Sequence, residues 1–149
     1  MRAVVQRVTR AKVTVSDQVI GQIEHGLCVL VAVMGDDGAS DCEQLAKKVA
    51  QLRIFTDEEE KMNRNVSDIS GAVLAISQFT LAGDTRKGNR PSFVGAMPPE
   101  AARTLFEQFC STLVTLGIPV QTGQFGAHME VELANDGPVT ILLDTKRLF

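Results

Sequence analysis

The sequence predicts an α/β fold: one domain spanning residues 1–149, in three layers, built on a mixed, curved or barrel-like β-sheet with two helices. Three observations carry this. Stretches of strict alternation and short continuous apolar runs recur from one end of the chain to the other. Two stretches of helical period interrupt them. No linker, repeat or low-complexity segment divides the 149 residues.

Taken in order, Met1-Arg2-Ala3-Val4 opens directly into strand-like sequence, without the pattern of a signal peptide. From Ala11 to Val15 apolar and polar residues alternate, as in a half-buried strand. Ser16-Asp17-Gln18 reads as a turn and Val19–Ile23 as the returning strand. Leu27 to Met34 is a continuous apolar run closed by Gly35-Asp36-Asp37-Gly38, which predicts a strand covered on both faces. Cys42, Leu45, Val49 and Leu52 then fall on one helical face, with Ser40 and Glu43 in the spacing of a capping box. Ala72–Ile76 is a second buried strand. Pro98-Pro99-Glu100 starts a second helix whose stripe is Ala102, Leu105, Phe106, Phe109, Leu113 and Leu116, stopped by Gly117 and Pro119. Met129–Leu133 and Val139–Leu143 read as a closing pair of strands, with Asn135-Asp136-Gly137-Pro138 as a turn between them. The helices are expected on one side of the sheet.

Composition bounds the function. With 44% apolar and 22% charged residues the chain can bury a proper core, and with 7 Phe but no Trp or Tyr that core rests on Val, Leu and Ile. A net charge of −3 argues against a dedicated nucleic-acid coat, but not against a local basic patch. Cys28, Cys42 and Cys110 are odd in number and lack C-x-x-C spacing, so free thiols in a reducing, cytoplasmic setting are expected. The longest apolar run is too short to span a bilayer, so no membrane partner is expected.

The familiar catalytic signatures are absent: no Gly-rich phosphate loop, no H-E-x-x-H pair and no EF-hand loop. Two histidines and scattered cysteines make a poor metal site. His25 beside Gly26 reads as a turn residue, and His128 is a weaker candidate for a general base because no carboxylate-plus-nucleophile pattern surrounds it. Ser77 lacks the G-x-S-x-G frame of a nucleophile elbow, with Ala75 and Phe79 at the flanking positions. Cys28 lies inside an apolar run, where a thiol is inert. Catalysis would therefore rest on backbone dipoles, bound water or the substrate's own groups. Two segments stand out: Ser77-Gln78-Phe79-Thr80-Leu81, where a buried strand runs into polar and aromatic positions, and Asn135-Asp136-Gly137-Pro138-Val139-Thr140.

Together these segments resemble the two signatures of the D-aminoacyl-tRNA deacylase family, S-Q-F-T-L and N-x-G-P-V-[TF], matched here without a gap and in order. Gln6-Arg7-Val8, Arg53-Ile54-Phe55, Lys61-Met62-Asn63, Arg90-Pro91-Ser92-Phe93 and Gln121-Thr122-Gly123 extend the resemblance over nearly the whole chain. It departs at Asp57-Glu58-Glu59-Glu60, where the family usually has a Gly just before the Lys. The resemblance implies hydrolysis of the ester of D-aminoacyl-tRNA in a homodimer with active sites at the subunit interface. It implies a cis Gly137-Pro138 peptide reaching from one subunit into the pocket of the other, which crowds an L side chain and spares D-aminoacyl groups and glycine. Ser77, Gln78, Phe79 and Thr80 would form the pocket floor, with Arg7 orienting the Gly-Pro turn. The backbone N–H groups around Phe79 and Thr80 are the candidate oxyanion site, and Thr80 as a covalent nucleophile is the competing assignment. Partners are then the aminoacylated 3′ end of tRNA and a second copy of the chain, with no DNA and no metal or organic cofactor. Arg86, Lys87 and Arg90, joined by Lys61 and Arg64, are candidates for phosphate contact. A conventional Ser/Thr hydrolase of small esters and an RNA-binding module without turnover are the alternative classes.

Overall fold

The computed structural model describes residues 1–148. β1 (Arg2–Val15) and β2 (Gln18–Ile23) form a hairpin around Ser16 and Asp17, whose φ values are 47° and 63°. Positive φ at both central residues gives the two-residue turn whose twist matches that of its strands. β3 (Gly26–Ala32) returns along the first half of β1, from Arg2 opposite Ala32 to Val8 opposite Gly26, while β2 keeps the second half. α1 (Ala39–Gln51) and a small hairpin of β4 (Phe55–Thr56) and β5 (Met62–Arg64) lead to β6 (Ala72–Ser77), parallel to β3. A 3₁₀ turn, Phe79–Ala82, and α2 (Pro99–Thr115) lead to β7 (Val120–Thr122), parallel to β6. β8 (Glu130–Asp144) closes the chain along the other edge of β1.

The sheet separates two cores. Toward the helices, Val5, Leu27, Val29, Val31, Val73 and Ala75 pack on Leu45, Val49, Phe106, Phe109 and Leu113. On the other side, Val8, Ala11, Val13, Ile23, Cys28, Leu74 and Ile76 fill the interior of the bent sheet, with Met129, Val131 and Leu133 against them. β3 and β6 therefore bury both faces, which is why they read as unbroken apolar runs. β1 contributes odd-numbered residues to the helix side and then odd-numbered residues to the interior. The register shift between Val8 and Arg10 turns its pleat over at that point.

Helices, sheet and returning strands make the three layers, and the sheet is nearly closed, as expected. Several boundaries differ. The alternation at Ala11–Val15 is only the second half of a 14-residue strand. α1 begins two residues before the expected box: Gly38 is its N-cap and the Asp41 carboxylate accepts the Gly38 N–H at 3.0 Å, so Ser40 and Glu43 do not cap it. The Asp41 carboxylate also lies 3.3 Å from the Lys146 ammonium. α2 ends at Thr115 and leaves Leu116 exposed. The two closing strands are one, β8, because β1 supplies a partner on both sides of Asn135–Pro138 and local turn chemistry yields to that ladder. β4, β5 and β7 are too short to show a period.

Gly26 sits where β1, β3 and β6 meet. A methyl group there would lie 1.9 Å from the carbonyl oxygen of Ala72 on β6, a backbone atom that cannot swing aside. Gly26→Ala is expected to cost about 2 kcal/mol, in the range of core overpacking, and to lower the thermal midpoint by roughly 4–8 °C. Urea and thermal unfolding followed by circular dichroism check this; an unchanged midpoint would show that β6 can shift freely.

Candidate active site

β6 ends at Ser77, and the chain turns at once into the 3₁₀ turn. The Gln78 N–H donates to Val31 O at 2.7 Å, extending the ladder by one bond, and the Leu81 N–H donates to Gln78 O at 3.2 Å, closing the turn. The N–H groups of Phe79 and Thr80 precede that closing bond, and a helical start leaves such donors free. Phe79 is 57% exposed and meets Phe93 edge-on, with ring centroids 5.1 Å apart. The Gln78 side-chain amide donates to the Thr80 hydroxyl.

Ser77, Gln78 and Phe79 line a cleft of about 700 Å³ with Phe93, Met97, Phe125, His128 and Met129 among its walls. Its size and largely apolar lining are those of a small-molecule binding cleft. Four stretches that are remote in sequence build it: Val33 after β3, the end of β6, the Phe93–Ala102 stretch that enters α2, and the Phe125–Val131 segment that enters β8. Sequence reasoning singled out the end of β6 and gave His128 a minor place; it missed Phe93, Met97, Phe125 and Met129. These are ordinary apolar residues, and only proximity marks them. His25 instead occupies the bend between β2 and β3, edge-on to Phe55 at 5.4 Å.

Gly137 and Pro138 are not in this cleft. They lie on β8 in a bulge, where five steps from Asn135 to Thr140 oppose two from Val8 to Gln6. Both residues are exposed and their peptide bond is cis. Gly137 has φ +127°, and a methyl group on it would lie 2.8 Å from Val139 Cγ2 and 3.1 Å from Arg7 Nη2, so only glycine fits. The bulge is held at its neck. Asn135 Nδ2 donates to Arg7 O at 3.0 Å and to Val139 O at 2.9 Å. Arg7, 8% exposed, donates from Nε to Asp136 O at 3.1 Å and from Nη1 to Ile54 O at 2.7 Å, and pairs with the Asp136 carboxylate at 3.2 Å. Asn135 reads as a turn residue in the sequence; it is a clamp.

The basic residues are unequal. Arg86 grips Asp84 with two nitrogens, at 2.9 and 2.6 Å. Those bonds and the Arg86 backbone N–H hold the Asp84 carboxyl at about 2. Lys61 pairs with Glu59 and Arg64 with Glu58 in the β4–β5 region, so both are neutralised locally. Lys87 and Arg90 are exposed. Among the described residues no cluster of His, Cys, Asp and Glu could hold a metal ion, and no helix is long and apolar enough to cross a membrane.

Similarity to known proteins extends over nearly the whole chain. Residues 4–144 match the family model described as D-Tyr-tRNA(Tyr) deacylase. The D-aminoacyl-tRNA deacylases of Thermotoga petrophila and Anaeromyxobacter dehalogenans are 57% and 59% identical over 149 residues, the full length of each pair of chains. A solved structure described as c-Myc DNA Unwinding Element Binding Protein superposes with a TM-score of 0.93 at 42% identity, covering 97% of this chain and 99% of the other. Another, of a probable eukaryotic D-amino acid tRNA deacylase, gives 0.81 at 18% identity over 95% and 97%, a likeness of fold alone. Matches of this extent define the class: the protein is a hydrolase acting on a carboxylic ester. The chain belongs to the D-Tyr-tRNA(Tyr) deacylase family, and its activity is that of a D-aminoacyl-tRNA deacylase.

Cys28 is fully buried in the interior core and does not line the cleft. Burial pushes the Cys28 thiol up to about 12. A thiol stays protonated below its pKa, so at pH 8 Cys28 carries almost no thiolate. Iodoacetamide at pH 8 is expected to leave Cys28 unmodified in the folded protein and to label it after denaturation, as read by peptide mass spectrometry. Cys28→Ala is expected to keep the deacylation rate within about twofold; a larger loss, in a variant whose fold is intact, would give the thiol a role.

Proposed function

We propose that the cleft hydrolyses the ester of D-aminoacyl-tRNA by positioning and backbone electrostatics, and that Gly137 and Pro138 of a second copy complete it. The observation that carries this reading is spatial. Ser77, Gln78 and Phe79 of one signature line the cleft, with Thr80 exposed just beyond its lining, while the other signature stands exposed on a rigidly clamped bulge of β8 outside it. An exposed motif held this firmly is suited to insertion into a second subunit.

In this reading the amino-acyl ester lies in the cleft with its carbonyl oxygen toward the N–H groups of Phe79 and Thr80. Donors fixed before the reaction stabilise the oxyanion that forms when water attacks. The ester is activated by its ribose, and the neighbouring 2′-hydroxyl is within reach to move the proton, so positioning supplies much of the remaining rate. Thr80 as a covalent nucleophile is disfavoured. Its hydroxyl already accepts from the Gln78 amide, a donor that cannot take up its proton. Ser77 and Gln78 shape the floor. The backbone of Gly137 and Pro138 crowds the place an L side chain would occupy, so selection rests on rejecting the wrong hand. Lys87 and Arg90, with Arg86 after its exchange from Asp84 to phosphate, contact the RNA backbone. The reaction proceeds without a metal or organic cofactor, in the cytoplasm, where free thiols such as those of Cys28, Cys42 and Cys110 stay reduced.

Single-turnover ester loss from D-Ala-, L-Ala- and Gly-tRNA sharing one tRNA body tests the filter. The D ester is expected to be cleaved roughly a hundredfold or more faster than the L ester. Gly-tRNA is expected to follow D-Ala-tRNA, because its α-carbon offers nothing to reject. Comparable D and L rates would end the chiral assignment, and Gly-tRNA surviving as long as L-Ala-tRNA would end the steric one.

Mixing tests the shared site. Gly137→Ala deforms the bulge, and Phe79→Pro removes one N–H donor at a position where a helical start tolerates proline. Each variant alone is expected to be inactive. After co-refolding, about a quarter of wild-type activity should return, because random pairing makes half the dimers mixed and each mixed dimer holds one intact site of two. A mixture as inactive as its parts would place both segments in one subunit's site.

A further inference from the structure

The wall of the cleft formed by Gly123–Met129 has few backbone ties to the rest of the molecule. It lies between β7 and β8, and the only backbone hydrogen bond it makes among the described residues is internal, from the Ala127 N–H to Gln124 O at 3.1 Å. Yet Phe125, Gly126, Ala127, His128 and Met129 all line the cleft. Its ends, Gly123 and Met129, rest on the interior core beside Val13 and Ile76; its middle is held by α2, through Phe125. The Phe125 ring packs against Phe106 at 6.2 Å between centroids, and the Arg103 guanidinium lies over its outer face at 5.2 Å. Arg103 Nη2 also donates to the Phe125 carbonyl at 3.4 Å. Phe125 is a partition: the cleft lies on one side, and a hollow of about 250 Å³ lined by Arg103, Glu107, Cys110 and Thr122 on the other. Unpinned, the ring has that hollow to move into.

We propose that Arg103 is a positioning residue for the deacylation: by stacking on Phe125 and bonding its carbonyl it holds the Gly123–Met129 wall against the amino-acyl group. The proposal rests on the reading of the cleft as the amino-acyl site. Arg103 touches no cleft surface itself. Its neighbour Ala102 lines the cleft, and Arg103 acts one position round the helix, from behind the wall. A cation over an exposed ring is worth about 0.5–1 kcal/mol, which corresponds to a factor of about two to five. That is the size of effect expected on substrate affinity.

The test is Arg103→Met, with Phe125→Leu and the double variant beside it. Because Arg103 is exposed, Arg103→Met should unfold within a few degrees of wild type. Phe125 packs on the helix-side core, so Phe125→Leu and the double variant are compared with each other at a temperature where both are folded. Amide hydrogen exchange of residues 124–128 is expected to quicken about two- to fivefold in Arg103→Met. KM is expected to rise by the same factor with kcat little changed, and the double variant should be no worse than Phe125→Leu alone, since both remove one contact. An arginine that merely contacts tRNA phosphate would give a different pattern. The assay therefore includes a D-aminoacyl-adenosine ester, which has no phosphate. A KM rise on both substrates supports positioning; a rise confined to full tRNA, or unchanged exchange, overturns it. Quickened exchange with no kinetic change on either substrate overturns it in another way, since the wall then does not border the amino-acyl site. Failure of the wild-type protein to cleave D-aminoacyl-tRNA at all would instead defeat the underlying reading of the cleft.

Discussion

Strand β1 is hydrogen-bonded along both edges for most of its length, and the rest of the molecule is arranged around that double ladder. β3 and then β2 occupy one edge; β8 occupies the other from Asp144 to Glu130. Two irregularities break the β1–β8 pairing, and each has a consequence. The shift between Val8 and Arg10 turns the pleat over, so a single strand faces the helices with Ala3 and Val5 and the interior with Ala11 and Val13. The bulge opposite Arg7 pushes Gly137 and Pro138 out of the ladder and into solvent. One strand pair thus sets both the bent sheet and the exposed signature.

The two signature segments are held in different ways. Phe79 and Thr80 follow directly on β6, whose central residues are buried on both faces, so their backbone is anchored by the core: Ile76 is in the interior cluster and Ala75 in the helix-side cluster. Gly137 and Pro138 are placed by polar contacts instead. Arg7 is buried with its guanidinium spent on Asp136 and Ile54, and Asn135 bridges the neck. A buried arginine is tolerated only when so satisfied. Both devices orient backbone rather than side chains, which accords with a chain that lacks a recognisable catalytic set of side chains.

Much of the fold was legible. α1, α2, β3 and β6 announce themselves because periodicity and unbroken apolar runs follow directly from which faces are buried. Helix ends and strand junctions were less so. Ser40 and Glu43 have the spacing of a cap, but Gly38 and Asp41 make it, with Lys146, over a hundred residues away, beside the Asp41 carboxylate. Asn135-Asp136-Gly137-Pro138 has the composition of a turn, and β1 makes it a bulge in one strand.

For the site, the sequence by itself determined the chemistry on offer: two histidines and three scattered cysteines, no G-x-S-x-G frame, and two segments whose pattern resembles one family of ester hydrolases. Those are properties of residue type and order, which no folding changes. Only the tertiary structure decided which residues share a cleft. Phe93, Met97, Phe125 and Met129 carry no local signal, because an apolar side chain lining a binding surface looks in sequence like one in a core. It also decided that Gly137 and Pro138 stand apart from Ser77–Thr80 within one chain, and that Arg86 is held by Asp84 while Lys87 and Arg90 are exposed. Separation and pairing are relations between distant parts of the chain, fixed by the ladder of β1 and β8 and by the packing of α2, and they exist only once the chain has folded.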